Sequence, residues 1–489
     1  MMLSLKVIIE VTKAEIFYQS KEFSSQKLKL EDLFEKCTKQ SIFLARVKKE
    51  QKLRKQIIVK NTHDLNYLIA LVKRGTSNFI IEKKYLLDND YKSSFNSFIE
   101  ENKKNINTIL IVESSEETLY KIANYIRRQI NPIVIAVTGS VGKTTTTEML
   151  NSILLTKYKT HKSNVTNTFY AISKSIIDMP LDTEVLIVEV STRRQGLMQK
   201  NSEILEPDIA LITTVQLEHV QGMGSLENIA IEKLEIVKFM KSSSVLFLPN
   251  LDVLKKNLPN KLNKNTYVIN NKNFQIIFLS SSKTIFKYND YEYTINSVGE
   301  HNIENAILAI HVSKYLNLDT DKILLGLSLY SSIGNRWDVT NVDKNIVIIN
   351  DSPNNPSHAT IKSSIMTLCQ VYKNHKKIII LSDILEMGKL KEEIYNDLGY
   401  FISKLDIFEL VLYGSEIKDL KNFINNDKIL IKVFDKKIES PIKFFYNGEL
   451  TNYIGKIIEP NTVILVKASR IMGFDKIPYN IIKYCKEKI

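Results

Sequence analysis

Eight short apolar runs constrain this chain more than any other feature: Ile133–Val137, Val185–Val190, Ile209–Val215, Val245–Leu248, Ile346–Asn350, Lys377–Leu381, Leu410–Tyr413 and Val463–Val466. A strand with one wet face alternates apolar and polar residues. A run that is apolar nearly throughout must have both faces covered, as in a parallel sheet flanked by helices. Stretches of helical length and amphipathic pattern separate the runs. The alternation predicts an α/β fold with mostly parallel sheets. A chain of 489 residues can build two to four domains. Soft boundaries near Arg128–Pro132 and in the "YSSIGN" turn (Tyr330–Asn335) predict an N-terminal domain over 1–129, a central domain over 130–330 and a C-terminal domain over 331–489.

The first of these runs leads into "TGSVGKTTTTEML" (Thr138–Leu150). A strand, a glycine-containing turn and a helix starting with Lys-Thr is a phosphate-binding arrangement. The helix start presents amide N–H groups and partial positive charge, and glycine lets the backbone approach an anion closely. Gly139, Ser140 and Gly142 would form the cradle, with Thr145 in the first helical turn. Lys143 would reach the outer phosphates of a nucleotide, and the Thr144 hydroxyl would ligate Mg²⁺. The pattern is the short T-G-x-x-G-K-T form, since Val137 stands where a longer P-loop has its first glycine.

Other residues are suggestive one at a time. Glu189 closes an apolar strand at the end where α/β sheets bind ligands, and its carboxylate suits Mg²⁺. A strand-end charge reaching solvent is the plainer alternative. His219 follows the run Ile209–Val215, and Lys233 lies on a helical stretch beyond it. Locally, a structural histidine and a surface lysine are the simpler assignments. Asn302 and Asn305 share a face at the start of "GEHNIENAILAI", where they could pair with a purine or cap the helix. Arg336 sits in the turn between the second and third domains, and Asp351 ends an apolar strand. They could clamp phosphate and accept ribose hydroxyls.

Composition bounds the partners. The formal net charge of +13 favours anionic ligands, but the lysines are dispersed. The densest run, Lys48–Lys55, has no interleaved aromatics and argues against nucleic acid. Small phosphorylated molecules fit better. Three scattered cysteines offer neither a metal-site spacing nor a disulfide framework, which suits a reducing cytoplasm. Lys6 and Glu10 interrupt the apolar start, unlike a signal peptide. No run approaches the roughly eighteen apolar residues of a membrane span. A monomer is expected.

Taken in order, six segments resemble the Mur ligase family of ATP-dependent amide ligases: "TGSVGKTTTTEML", "VEVSTRRQG", "LEHVQGMGSLENIAIEKLEI", "GEHNIENAILAI", "LSDILEMGKLKEEIYNDLG" and "LVKASRIMG". The resemblance spans roughly residues 40–475. "SDILEMG" is closest to the branch that adds D-alanyl-D-alanine to a UDP-muramoyl tripeptide. The resemblance implies three domains: substrate binding, a central P-loop ATPase, and a Rossmann-like C-terminal domain. It implies that ATP activates a carboxylate as an acyl phosphate, which an amine then captures. Lys143 and Thr144 match the phosphate and Mg²⁺ binders. Glu189 and His219 match ligands of a second Mg²⁺, and Lys233 matches a carbamylated lysine. Asn302 and Asn305 match the adenine side, and Arg336 and Asp351 match phosphate and ribose contacts from the C-terminal domain. Lys143, Lys233, His219 and Arg336 are the residues expected to carry catalysis.

The sequence departs from the family on the acceptor side. Leu33-Phe34-Glu35 stand where the family has Asp-Ser/Thr-Arg to grip UDP. Ser163-Asn164-Val165-Thr166-Asn167 replace a Gly-Asn-x-Asn-Asn run, and "NDSPNNP" shortens a C-terminal motif. Two carboxylate substrates therefore stay open, the muramoyl tripeptide and some acid of a specialised pathway. A nucleotide-binding protein that no longer ligates is a third reading, and it predicts damage at Lys143, Glu189, His219 or Lys233. None is damaged.

Overall fold

The computed structural model describes residues 1–20, 26–49, 59–61, 64–163, 169–192, 194–218, 220–259, 265–332, 337–342, 345–352, 356–436, 448–468 and 473–488. They form two compact units, Met1–Ile133 with His161–Leu186 and Val134–Thr160 with Ile187–Ile489.

The first unit holds a six-stranded sheet in the order Leu3–Ser4, Lys27–Glu31, Ser41–Leu44, Asn78–Glu82, Thr108–Val112, Glu15–Gln19. The four inner strands run parallel and the two outer ones antiparallel to their neighbours. Phe43, Phe79, Ile81 and Ile109 on the inner strands join Phe95 and Phe98 in one core. Helix Ser115–Ile130 begins under a Ser114 cap with Glu116 and Glu117 in its first turn, and it stops at Asn131 in the left-handed conformation. Helix Phe169–Asp178 packs on it, although it follows the phosphate loop in sequence.

The second unit contains two mostly parallel sheets. The central one has six strands in the order Thr160–Lys162, Val185–Glu189, Ile133–Thr138, Ile209–Ile212, Val245–Pro249, Thr266–Ile269. Three antiparallel strands follow: Gln275–Leu279, Thr284–Tyr288 and Tyr291–Ile295. Helix Lys143–Leu154 is then covered by helices Glu300–Tyr315 and Thr320–Leu329. Ser152 Oγ donates to the Gly326 carbonyl at 2.6 Å and pins that crossing.

The last sheet runs Asp338–Val342, Ile346–Asn350, Thr462–Lys467, Lys376–Ser382, Glu409–Tyr413, Leu430–Phe434, with only the first pair antiparallel. Its apolar runs sort by the two-residue period of a strand. Ile349, Ile379, Leu410 and Leu465 face a core with Ile361, Ile365 and Leu398. Ile348, Ile380, Val411 and Ile464 face another with Leu450, Ile454 and Phe474. Helices therefore cover both faces, the Rossmann-like arrangement expected.

Every expected strand is present, with ends displaced by three residues at most. The largest displacement has a local cause. The expected run Ile209–Val215 stops at Ile212, because Thr213 and Thr214 turn to bond the phosphate loop.

Candidate active site

The phosphate loop sits where the sequence places it. Strand Ile133–Thr138 ends at Gly139, and helix Lys143–Leu154 begins after Gly142, with no side chain capping its N-terminus. The uncapped start suits an anion. Gly139 and Gly142 have φ of 147° and 88°. A Cβ on Gly139 would lie 2.0 Å from Thr213 Oγ1, and one on Gly142 would lie 2.3 Å from Asn305 Oδ1. Ser140 Oγ donates to the Gln216 carbonyl and accepts from the Gln216 amide, both at 2.9 Å. Thr213 Oγ1 donates to the Val141 carbonyl at 2.5 Å. The loop is thus clamped by the chain leaving the neighbouring strand.

Gly142→Ala should accordingly raise the KM for nucleotide at least tenfold. The left-handed backbone alone costs about 1–2 kcal/mol for an L-residue, and Asn305 blocks the methyl. Steady-state kinetics and nucleotide titration measure the effect.

The charged groups converge on this loop. Lys143 Nζ donates to the carbonyls of Gly139 (2.7 Å) and Ser140 (2.9 Å). Thr144 Oγ1 donates to Glu189 Oε2 at 2.8 Å. Thr145 lies buried in the same helical turn. Lys233 is 1% exposed and its ammonium is 2.7 Å from Glu218 Oε1. Its helix, Leu226–Leu234, is held by Glu232, which accepts the amides of Gly196 and Met198. Burial lowers the Lys233 pKa, Glu218 opposes this, and the nearby charge of Lys143 lowers it further, for a net value below the usual 10.5.

Among the described residues no cluster of three His, Cys, Asp or Glu side chains is arranged to hold a metal. Mg²⁺ does not require one. It binds through one or two carboxylates, water and substrate phosphates. The Thr144–Glu189 pair beside an uncapped helix start is a hard-oxygen donor set of that kind, so the residues fit the ion.

A cleft of about 380 Å³ opens beside the loop. One side is Thr213–Gln216, Pro249, Leu251, Asn271 and Lys272, at the carboxyl ends of the central strands. Glu300, His301 and Glu304 contribute from helix Glu300–Tyr315, and Met366, Thr367 and Gln370 from helix His358–Val371 of the last sheet's layer. His301 Nδ1 is 2.6 Å from Ser363 Oγ, joining the two walls.

Of the other expected residues, Asn302, Asn305 and Asp351 are among those described. The Asn302 amide donates inward to Ser297 Oγ (2.8 Å) and the Val298 carbonyl (2.7 Å), so it braces the turn before its helix. Asn305 sits against Gly142. Asp351 is buried and bonded to Lys467 Nζ at 2.8 Å and to the Ser364 hydroxyl, one residue from the cleft wall. Burial raises its carboxyl pKa, but Lys467 and Ser364 outweigh this and hold it below the ordinary 3.8. His219 and Arg336 lie outside the described residues. The "SDILEMG" segment reaches the helix just after His219, where the Gln221 amide donates to the Glu386 carbonyl at 3.4 Å.

Residues that the sequence did not single out belong to the picture. Glu218 and Glu304 are isolated acidic residues, and nothing local distinguishes them from surface carboxylates. In the first unit, Asp32 and Arg46 follow two parallel strands at their carboxyl ends. Arg46 Nε and the Tyr170 hydroxyl both donate to Asp32 Oδ2 at 2.6 Å, and the guanidinium lies 3.7 Å above the Tyr170 ring. Tyr170 is far from Arg46 in sequence, so no motif shows this grouping.

A sequence profile described as the Mur ligase middle domain matches residues 137–313. The UDP-N-acetylmuramoyl-tripeptide–D-alanyl-D-alanine ligase of Bacillus subtilis (strain 168) is 30% identical over 380 residues, covering 77% of this chain and 81% of its own. The crystal structure of MurF from Acinetobacter baumannii superimposes with a TM-score of 0.81 at 18% identity, over 99% of both chains. The MurF ligase of Thermotoga maritima in complex with ADP superimposes with a TM-score of 0.74 at 21% identity, over 94% of this chain and 99% of its own. With identity at this level sustained across most of both sequences, the chain belongs to the Mur ligase family.

Proposed function

We propose that this protein is an ATP- and Mg²⁺-dependent ligase that joins D-alanyl-D-alanine to a UDP-muramoyl tripeptide in peptidoglycan precursor synthesis. One observation carries the chemistry. Lys143, the Thr144–Glu189 pair and the buried Lys233–Glu218 pair surround a single uncapped helix start. The curated relatives supply the substrates, since the Bacillus subtilis protein is named for this reaction.

A carboxylate is a poor electrophile at neutral pH. Its oxygen attacks the γ-phosphorus of ATP, the bond to ADP breaks, and an acyl phosphate forms. The amine nitrogen then attacks the carbonyl carbon. The tetrahedral intermediate expels phosphate, the nitrogen gives up a proton, and an amide remains. Negative charge accumulates at both stages, so preset cationic groups lower both barriers. Lys143 and the loop amides hold the outer phosphates. Thr144 would hold one Mg²⁺, and Glu189 with His219 a second, to supply positive charge against the phosphates. Lys233, whose pKa burial pulls downward, would be the lysine that loses a proton and adds CO₂ to become a carbamate. Arg336 would reach the phosphates from the domain that begins near residue 331, with the central domain beginning near 130. Arg46, braced by Asp32 and Tyr170, offers the guanidinium that Glu35 cannot.

No helix among the described residues is long and apolar enough to cross a membrane. We assign the enzyme to the cytoplasm as a monomer acting on small molecules.

The test is phosphate release from ATP with UDP-muramoyl tripeptide and D-alanyl-D-alanine, with the product weighed by mass spectrometry. Turnover should need all three substrates and give the pentapeptide. Turnover only with another acid–amine pair would discard the muramoyl assignment and leave the amide ligase.

A further inference from the structure

Taking ATP as the nucleotide, we infer that Glu304 selects its base by accepting a hydrogen bond from the adenine 6-amino group. The lining of the cleft beside the phosphate loop includes Pro249, Leu251 and Met366, apolar surface that a flat ring can lie against. Its polar edge is helix Glu300–Tyr315, where Glu300 and Glu304 are four residues apart and share a face. Their surroundings differ. Glu300 Oε1 accepts from the Gln370 amide at 3.1 Å. Among the described residues Glu304 has no hydrogen bond of its own and only the charge of Lys272 to offset its burial. Burial raises the Glu304 pKa, Lys272 opposes this, and Glu300 adds to it. Its carboxylate lines the cleft, where a donor of a bound ligand can replace water as its partner.

The donor is not a phosphate, which would repel it. Phosphates belong to the adjacent Gly139–Thr144 loop. Asn302, one of the two residues expected to face adenine, donates to Ser297 and Val298 instead, and Asn305, the other, lies against Gly142 of the phosphate loop. Glu304 lies between them in sequence and is the one that lines the cleft. A 6-amino purine presents donors to this carboxylate. A 6-oxo purine presents an acceptor, so two acceptors would face each other and binding would weaken.

Calorimetric titration of ADP, IDP and 2′-deoxyADP into the parent, Glu304→Ala and Glu304→Gln proteins tests this without requiring turnover. The parent should prefer ADP to IDP by about tenfold or more, the weight of one charge-assisted hydrogen bond. Glu304→Ala should shrink that preference to under about threefold, mainly by weakening ADP. Glu304→Gln, which adds a donor, should strengthen IDP, and it carries the test alone if the alanine protein does not fold. An unchanged ADP-to-IDP ratio in the variants overturns the inference, as does a parent with no preference. So does a change confined to 2′-deoxyADP, which would place Glu304 on the ribose. Intact ADP selectivity without ligase turnover would instead count against the proposed reaction.

Discussion

Replacing Lys143 by alanine should lower the rate of ATP-dependent ligation on the order of 10³-fold while leaving the fold intact. That is the scale on which enzymes lose rate when one preset electrostatic donor is removed from a charge-accumulating site. The side chain is half-buried and its protein acceptors are two loop carbonyls, Gly139 and Ser140, so its loss leaves no buried charge behind. Lys233, on which its charge acts, is released from repulsion. Rate and stability should therefore separate, with kcat falling and the melting temperature moving by only a few degrees. Phosphate release and a thermal melt on the same preparation measure both. Coupling at the parent rate would remove Lys143 from the chemistry and the phosphate-loop assignment with it.

Asp351→Ala should destabilise the folded protein by about 3–5 kcal/mol, since removing one partner of a buried ion pair strands the other. Lys467 is 4% exposed and would be left as an uncompensated charge. The double variant Asp351→Ala with Lys467→Met should recover much of the loss. The pH dependence has a definite sign. The Asp351 carboxyl titrates below its ordinary 3.8 in the folded state. Its stabilisation is thus fully present above that ordinary value and disappears as pH falls through the lower, folded value. Urea unfolding across acidic pH should show the parent losing this increment and the alanine variant lacking it throughout. If the variant unfolds with the parent's midpoint at neutral pH, Asp351 is not structural, and direct contact with the nucleotide becomes the better account.

Much of this was legible locally. Runs such as Lys377–Leu381 and Val463–Val466 are apolar on both strand faces, and the structure covers both faces with helices. "TGSVGKTTTTEML" folds as a strand, loop and helix because its glycines occupy backbone angles other residues avoid. The first unit was less legible. Its strand Lys27–Glu31 is charged and alternating, and Ser41–Leu44 is four residues long. Such short segments carry little periodic signal.

The site divides along the same line. Lys143, Thr144 and Glu189 could be named from sequence because each sits at a fixed offset from a strand or helix end. Asn302 and Asp351 were equally visible, but the partners they bond were not: the turn at Ser297 and Val298, and Lys467, more than a hundred residues on. Glu218, Glu304 and the Asp32–Arg46–Tyr170 group acquire meaning only from what packs against them. Local backbone preference and apolar periodicity are written residue by residue, so the sequence alone determined the fold class, the phosphate loop and the family. Which other part of the protein a polar side chain bonds depends on long-range packing and burial, and the tertiary structure alone decided that.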